Sequence, residues 1–219
     1  MSADHYFSPH PRASGGRRTL SVTLRGQQLR LTTEAGVFSR RRVDSGTRLL
    51  IDNMKVDPAD SVLDLGCGYG VVGLVAARLA SQGYVTLVDV NQRAVDLARA
   101  NLRANGVENA EAILGDGFAS VAGRRFDVIA LNPPIRAGFA VIHTLISEST
   151  QHLHGGGRFY LVGRTKQGVI RLAAKIHEVF GSAEEIAKGG GYRLYLSHRG
   201  RTDIIPGSSV SAQATEELP

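Results

Sequence analysis

The chain has 219 residues, 42% of them hydrophobic, and a net charge of +6, so it is long enough for one domain with a substantial core and short extensions. No stretch approaches eighteen consecutive apolar residues and no secretory signal is visible, so we expect no membrane contact. Cys67 is the single cysteine, which excludes an intrachain disulfide and is typical of a cytoplasmic protein. None of the seven histidines stands at a metal-ligand spacing from Cys67 or a carboxylate, so we expect no metal, and we expect a monomer or a weak dimer.

Residues 1–55 are interpreted as a basic N-terminal extension. Alternating apolar residues on either side of Gly26 predict two short strands joined by a turn. A helix follows, with Asp44 or Ser45 as its cap, and Asp57-Pro58 ends it. The predicted elements are a loose segment over 1–16, a hairpin with strands over 19–24 and 28–32, and a helix over 44–54.

This extension carries the entire net charge. Residues 1–55 contain ten arginines and lysines against four acids, whereas residues 56–219 contain sixteen of each. Such an asymmetry favours a polyanionic partner, and Arg40, Arg41 and Arg42 stand together just before the predicted helix. The alternative is an arginine-rich solvated face without a ligand.

From residue 56 to 202 the pattern changes to alternating strands and helices. Near-continuous apolar strands separated by amphipathic helices indicate a parallel sheet that is covered on both faces. The last two strands flank a run of three glycines with no helix between them, so the last strand should be antiparallel. The predicted fold class is therefore α/β, a Rossmann-like doubly wound sheet of seven strands that is mostly parallel. The predicted strands are 61–65, 84–89, 110–114, 126–131, 158–163, 183–187 and 192–197, the helices are 71–81, 92–104, 139–153 and 168–180, and the polar residues 203–219 are expected to form a disordered tail.

A glycine-rich turn follows the first core strand in the sequence Asp64-Leu65-Gly66-Cys67-Gly68-Tyr69-Gly70. Its glycines let the backbone turn tightly and approach a ligand closely. Asp89 ends the second core strand, where a carboxylate can accept both hydroxyls of a ribose, and Asp116 follows the third strand, in position for the amino group of an adenine. The three sites together predict a nucleoside pocket along the ends of the strands.

The same turn also matches a dinucleotide-binding motif. Gly68, Gly70 and Gly73 have the G-x-G-x-x-G spacing, and Asp89 stands about where that motif has its acid. Asp64 argues against this interpretation, because its charge would lie beside a pyrophosphate, whereas it would suit the α-amino group of a methionine moiety.

A second motif, Asn132-Pro133-Pro134-Ile135, follows the apolar strand over 126–131. The two prolines fix φ and lack N–H groups, so they force the chain to leave the sheet. The Asn side chain and the carbonyl group after it then point at a fixed place. This arrangement suits the binding of a planar amino group through its two N–H donors, and nothing in it serves hydride transfer.

These motifs, in this order, resemble those of the class I S-adenosylmethionine-dependent methyltransferases. Over about residues 17–200 the chain is similar to the small-domain methyltransferases related to the guanine-N2 enzymes of small-subunit ribosomal RNA. Added support comes from Gly36-Val37-Phe38-Ser39 followed by Asp44-x-Gly46-Thr47, which is similar to the segment before the core in that group. At positions 135 and 136, where guanine-N2 enzymes usually carry an aromatic residue and often His, this chain has Ile and Arg.

The resemblance implies S-adenosylmethionine as the cofactor and methyl transfer to an exocyclic amino group of a nucleobase. Guanine N2 in ribosomal RNA is the expected target, and RNA or the small ribosomal subunit is the expected partner. Two alternatives stay open, namely N5 methylation of a protein glutamine and a cofactor-binding RNA assembly factor without catalysis. The implied cofactor-binding residues are Phe38, Thr47, Asp64, Gly66, Cys67, Gly68, Gly70, Asp89, Val90, Asp116 and Gly117, the catalytic residues are Asn132, Pro133, Pro134 and Ile135, and the RNA contacts are Arg40, Arg41, Arg42 and Arg136.

Overall fold

The computed structural model describes residues 16–37, 39 and 42–200, except for the side chain of Arg136. The predicted loose segment, apart from Gly16, and the predicted tail over 203–219 lie outside these residues. The strands are β1 (Arg18–Leu24), β2 (Gln27–Thr33), β3 (Ser61–Leu65), β4 (Tyr84–Asp89), β5 (Ala110–Leu114), β6 (Phe126–Leu131), β7 (Leu153–Arg164), β8 (Glu184–Gly189) and β9 (Tyr192–His198). The helices are α1 (Ser45–Asn53), α2 (Val71–Leu79), α3 (Gln92–Ala104), α4 (Phe139–Ser149) and α5 (Val169–Phe180), and short 3-10 turns lie at Ala119–Val121, Ile135–Ala137 and Thr165–Gln167.

Seven of these strands form one sheet in the order β5-β4-β3-β6-β7-β9-β8. β3 pairs in parallel with both β4 and β6, so the carboxyl ends of these strands reach the same edge of the sheet. β9 lies between β7 and β8 and runs antiparallel to both. The β8–β9 turn is made by Gly190 and Gly191, with φ of 57° and 79°, as a tight hairpin turn requires. The predicted Rossmann-like sheet with an antiparallel last strand is confirmed.

Alternate side chains of the central strands pack into two separate cores. Val62 on β3 and Val128 on β6 lie in the apolar cluster with α2 and α3. Leu63 and Ile129, their neighbours along the chain, lie in a second cluster with α4 and α5. Both faces of the sheet are therefore covered by helices, which explains why the strands are almost continuously apolar.

The connection between α4 and β7 differs from the prediction. The sequence predicts a helix over 139–153, but α4 ends at Ser149 and β7 begins at Leu153. Leu153 pairs with Phe126 at the start of β6 and is fully buried in the second cluster. Its helical spacing from the apolar residues of α4 is therefore misleading, because pairing with β6 overrides the local pattern.

The predicted hairpin of β1 and β2 packs on α3 and does not join the main sheet. The Asn101 Oδ1 atom accepts from the Thr32 N–H at 2.6 Å, and its Nδ2 donates to the carbonyl oxygens of Thr32 and Tyr69 at 2.9 and 2.8 Å. One turn further along α3, Asn105 pairs in the same way with the N–H and carbonyl groups of Arg30. Two side-chain amides therefore satisfy an edge of β2 as a neighbouring strand would.

The N-terminal extension also shares its apolar core with the sheet. Leu24, Leu29 and Leu31 of the hairpin, together with Leu50 and Ile51 of α1, are buried in the cluster with α2 and α3. The extension is thus held by apolar packing as well as by the two asparagines. Within the described ranges, none of the helices is long and apolar enough to cross a membrane.

We expect Asn101→Ala to lower the free energy of unfolding by about 2–4 kcal/mol, because three backbone groups lose a buried partner. Chemical denaturation measures this change in stability. Asn53→Ala is a matched control, since the exposed Asn53 amide donates to Leu49 of its own helix and its removal should cost about 0.5 kcal/mol or less. Equal destabilisation in the two variants would contradict the role of Asn101.

Candidate functional site

A cavity of about 460 Å³ lies at the edge of the sheet where β3, β4, β5 and β6 end. Open α/β sheets bind their ligands at this edge, and the volume is in the range of small-molecule sites. Its lining combines glycine backbone, carboxylates and apolar side chains. The predicted site residues that line it are Thr47, Asp64, Gly66, Cys67, Gly68, Asp89, Val90, Asp116, Gly117, Asn132, Pro133 and Pro134.

The glycine-rich turn between β3 and α2 is tied to the neighbouring strand. The N–H groups of Gly66 and Cys67 donate to the Val88 carbonyl on β4 at 2.8 and 2.9 Å. Gly66 and Gly68 have φ of 72° and 56°, and no described heavy atom lies within 4 Å of the place that a Cβ would take on either residue. The turn therefore presents bare backbone to the cavity, with space for a ligand in front of it.

Gly70 lies behind the cavity and is not part of its lining. It precedes α2 with φ of 87°, and a Cβ there would stand 3.0 Å from Ala98 Cβ and 3.1 Å from Leu87 Cδ2. At Gly73, one turn into α2, a Cβ would come within 2.4 Å of Leu87 Cγ. These two glycines allow α2 to pack closely on α3 and β4, which fixes the start of the helix beside the cavity.

Asp89 ends β4 with its carboxylate directed at the glycine turn. Its Oδ2 accepts from the Gly68 N–H at 2.8 Å, and its Oδ1 accepts from the Asn91 N–H at 2.9 Å. Burial raises the pKa of Asp89, and the backbone N–H groups that donate to it oppose the rise. The carboxylate thus holds the turn in place while it lines the cavity at the end of the second core strand.

Asp64 lies deeper and is 4% exposed. Its Oδ2 accepts from the Gly73 N–H in the first turn of α2 at 2.8 Å. Burial raises the pKa of Asp64 to about 7, the charge of Asp89 adds to the rise, and the bond from Gly73 opposes it. Because the Asp64 side chain already accepts from the Gly73 N–H, this group of the helix terminus is not available to a pyrophosphate, and the dinucleotide alternative is not supported.

The far side of the cavity is formed by the end of β5 and by α4. Asp116 is exposed at this side, next to Gly117 with φ of 56°. A Cβ on Gly117 would stand 3.1 Å from Leu145 Cδ2. Val141 and Leu145 of α4 line the cavity, although the sequence indicated only an amphipathic helix here. Val141 and Leu145 therefore give this side of the cavity an apolar lining next to the Asp116 carboxylate.

Cys67 lines the cavity as a buried thiol whose Sγ lies 3.4 Å from the carbonyl oxygen of Gly68. Burial raises the pKa of this thiol well above its usual value, with the charges of Asp89 and Asp64 adding to the rise. A protonated thiol is a poor nucleophile, so Cys67 acts here as a small packing group. Across the described ranges, no cluster of His, Cys, Asp and Glu side chains has the arrangement of a metal site.

Asn132 is oriented by hydrogen bonds that begin in the N-terminal extension. Its Nδ2 donates to Thr47 Oγ1 at 3.1 Å, and the Thr47 hydroxyl donates to Asp44 Oδ2. Since the Thr47 proton is given to a carboxylate, its oxygen must accept, and this selects the nitrogen end of the Asn132 amide. The Oδ1 atom is then the end of the Asn132 amide that is left as an acceptor, and Asn132 lines the cavity.

Asp44 is a site residue that the sequence indicated only as a helix cap. The cap is confirmed, because Asp44 Oδ1 accepts from the N–H groups of Gly46 and Thr47 at 2.9 and 3.3 Å. The bond to the Thr47 side chain adds a second task, which is to orient Asn132 through Thr47. A carboxylate and a hydroxyl one helical turn apart indicate the bond between Asp44 and Thr47, but the sequence does not show that Asn132, just after β6, donates to the same hydroxyl.

Four of the predicted residues lie outside the described part of the chain in whole or as side chains: Phe38, Arg40, Arg41 and the side chain of Arg136. Arg42 is exposed, and its carbonyl accepts from Ser39 Oγ at 2.5 Å. Ile135 is in the 3-10 turn after Pro134, where it packs against the second apolar cluster and does not line the cavity.

The doubly wound sheet, the carboxylates at its strand ends and the Asn-Pro-Pro turn around one cavity define a Rossmann-like nucleoside-binding domain of the methyltransferase type. A model of the methyltransferase small domain family matches residues 28–196. The chain belongs to this family, and the resemblance predicted from its motifs is confirmed.

Similar proteins include both uncharacterised and named ones. The chain is 36% identical over 194 residues to the uncharacterised protein YbxB of Bacillus subtilis, covering 88% of this chain and 96% of that protein. It is 35% identical over 204 residues to the ribosomal RNA small subunit methyltransferase C of Pseudomonas entomophila, covering 91% of this chain and 60% of that protein. Among solved structures, the T. thermophilus 16S rRNA N2 G1207 methyltransferase, in complex with AdoMet and guanosine, superposes with a TM-score of 0.75 at 27% identity.

That superposition covers 85% of this chain and 51% of the T. thermophilus chain. The chain thus spans between half and two thirds of these two named methyltransferases, whereas it spans nearly all of the B. subtilis protein.

We expect Asp64 to make the protein less stable as the pH rises. Its pKa in the folded state is about 7 against an ordinary 3.8, so between these values the folded protein holds a proton that the unfolded chain has released. The free energy of unfolding therefore falls across this window, by up to about 1.4 kcal/mol per pH unit from this group. Urea denaturation of the wild type and of Asp64→Asn at several pH values measures the difference.

Asp64→Asn should lack this part of the pH dependence, because it has no proton to release. Asp52→Asn is the control, since Asp52 is exposed on α1 and its replacement should leave the slope unchanged. Parallel pH profiles for the wild type and Asp64→Asn would show that the buried carboxyl does not titrate in this window.

Proposed function

We propose that the protein transfers a methyl group from S-adenosylmethionine to the exocyclic N2 amino group of a guanine in small-subunit ribosomal RNA, in the cytoplasm. The observation that carries the proposal is the orientation of Asn132, whose nitrogen is tied to Thr47 so that its oxygen is free to accept from an amine in the cavity. The name of the P. entomophila relative and the guanosine in the T. thermophilus structure support this target.

We assign one part of the cavity lining to each part of S-adenosylmethionine. Gly66 and Gly68 leave open space in front of bare backbone, and Asp89, which lines the cavity at the end of β4, would accept the hydroxyls of the ribose. Leu145 lines the cavity beside Asp116 and would pack against the adenine. Asp64 suits the positive amino group, because a nearby cation favours the ionised form of a carboxyl whose pKa burial has raised. When bound, the cofactor supplies a methyl group that its sulfonium charge has already activated.

The residues of the chain orient the acceptor, and the proposed chemistry needs no strong base. As the bond from the methyl carbon to sulfur breaks and the bond to nitrogen forms, the sulfur leaves as a neutral thioether, and the nitrogen, which has become cationic, then releases one proton to water. An exocyclic amine is a weak nucleophile because its lone pair is delocalised into the ring. The Asn132 Oδ1 atom and the Pro133 carbonyl would accept its two N–H groups and hold the nitrogen nearer to tetrahedral geometry, which makes the lone pair available. Pro133 and Pro134 fix the backbone of the turn, so both acceptors keep their places without a cost at the moment of reaction.

The same two acceptors would also fit the side-chain amide of a glutamine, so the identity of the labelled product decides between the candidate functions. We expect tritiated methyl groups to pass from S-adenosylmethionine to small ribosomal subunits, or to their naked RNA, taken from a strain that lacks this gene. Mass analysis of the nucleosides should then show N2-methylguanosine. Label in ribosomal protein would indicate glutamine methylation, and cofactor binding without any transfer would indicate an assembly factor.

In the same assay, Asn132→Ala should lower turnover by about 100-fold or more, the usual scale for removing one preorganised polar group. Its melting temperature and its affinity for S-adenosylmethionine by calorimetry should stay near the wild-type values. Turnover within a few-fold of the wild type would overturn the role of Asn132.

Substitutions of Thr47 distinguish two possible roles of its side chain, which are the orientation of Asn132 and direct contact with the cofactor. If it orients Asn132, Thr47→Val should lower kcat by about tenfold to a hundredfold with little change in KM for S-adenosylmethionine, because the Asn132 amide no longer has its acceptor. Thr47→Ser keeps the hydroxyl and should retain most of the turnover. The cofactor contact predicted from the sequence would instead raise KM for S-adenosylmethionine in Thr47→Val and leave kcat nearly unchanged.

A further inference from the structure

A long acid-free segment of the chain contains β7 and most of α5. Residues 151–177 include five arginines and lysines and no aspartate or glutamate. Two of the five pair with acids outside this segment: Arg158 pairs with Asp57 and Asp60, and Lys175 pairs with Glu178, one turn further along α5. The other three are exposed and form no ion pair with any described residue; we call them the cationic rim, and they are Arg164, Lys166 and Arg171.

The cationic rim lies beside the acceptor side of the cavity. β7 is the neighbour of β6 in the sheet, with Leu161 opposite Leu131, so Arg164 at the end of β7 reaches the same edge as Asn132. The Arg164 Nε donates at 2.8 Å to the hydroxyl of Tyr192, and the charge of Asp44 adds to the rise that burial causes in the pKa of Tyr192. Hydrogen-bonded and charged neighbours thus connect the rim to the residues that orient Asn132.

Aromatic rings hold both arginines of the rim. The guanidinium of Arg164 lies 4.7 Å from the ring centroid of Tyr192, and that of Arg171 lies 4.6 Å from the ring centroid of Phe139. Phe139 is itself packed on Gly168, where a Cβ would come within 2.6 Å of its Cζ. Stacked guanidinium groups are already ordered, so they lose less conformational entropy when they bind a planar or anionic partner.

Two charges of the rim lie where the electrostatics of a helix terminus disfavour them. Lys166 stands just before α5 and Arg171 is in its first turn, where the partial positive charge of the helix terminus repels cations. No acid in that turn compensates for them. Three exposed cations collected beside the acceptor side of the cavity therefore match a partner that brings several negative charges of its own.

We propose that the cationic rim binds the phosphates of the RNA strand on either side of the target base. The proposal rests on the proposed function for the identity of the polyanion. A base that enters the cavity brings its flanking phosphates to the edge of the site, and the rim supplies fixed charges at that edge. It also adds a second basic surface to the one that the sequence predicts in residues 1–55.

The test is the double variant Lys166→Gln/Arg171→Gln, with filter binding of naked small-subunit ribosomal RNA at several salt concentrations. Arg164 is left unchanged because of its bond to Tyr192. The slope of log K against log salt should become shallower by about 1.4, because each phosphate of a single strand that a cation neutralises contributes ~0.7 to it. In the methyl-transfer assay the effect should fall on KM for RNA, and the melting temperature should not fall.

The matched control is Arg103→Gln/Arg125→Gln, which removes the same charge from exposed residues at the opposite edge of the sheet. Its salt slope should equal that of the wild type. Equal slopes for the rim variant and the control would overturn the proposal, as would a rim variant that weakens binding to intact subunits but not to naked RNA, since the partner would then be ribosomal protein.

The two assays distinguish an error in the cationic-rim proposal from an error in the proposed function. If methyl groups are transferred to RNA but the rim variant changes neither KM for RNA nor the salt slope, the cationic-rim proposal is wrong and the proposed function stands. If the rim variant makes the salt slope shallower but no methyl group is transferred, the proposed catalysis is wrong and the cationic rim stands as an RNA-binding surface.

Discussion

The site depends on the parallel register of three central strands. β3 lies between β4 and β6, and Leu65 at its end stands opposite both Val88 and Leu131. Since the three strands end at the same level, the glycine turn, Asp89 and Asn132 meet around one cavity although they are far apart in the chain. Two N–H groups of the turn donate to the Val88 carbonyl, and these bonds fix the loop after β3 against the end of β4.

The N-terminal extension completes the site that the strands begin. Its buried leucines and its asparagine-bound hairpin edge place α1 against the sheet, and α1 brings Asp44 and Thr47 to Asn132. The approach is close, because a Cβ on Gly46 would lie 2.5 Å from Tyr192 Cε1 on β9. A residue that caps a helix therefore selects, through Thr47, which end of a distant side-chain amide is bound, and the packing of the extension is coupled to the geometry of the cavity.

The net charge of a stretch of sequence does not predict the charge that surrounds the cavity. The neutral average over residues 56–219 conceals the acid-free segment around β7, because the balancing acids lie elsewhere in the fold. Conversely, part of the N-terminal charge serves the structure: Arg25 donates to the Met54 carbonyl at 2.8 Å, and Arg17 pairs with Glu34 at 3.3 Å. Surface position and pairing therefore decide which of the basic residues are available to a polyanion.

The sequence by itself determined the family, the fold class and the order of the elements, because strand and helix periods, glycine turns and Asn-Pro-Pro are local patterns. It also placed Asp64, Asp89 and Asn132 at strand ends, and all three line the cavity. Tertiary structure alone decided that Leu153 belongs to β7, that Gly70 serves packing, and that Thr47 binds Asn132 across 85 residues of sequence. The physical reason is that the orientation of a side chain depends on its contacts: Thr47 is held between Asp44 and Asn132, and these two residues become neighbours only when the sheet has formed.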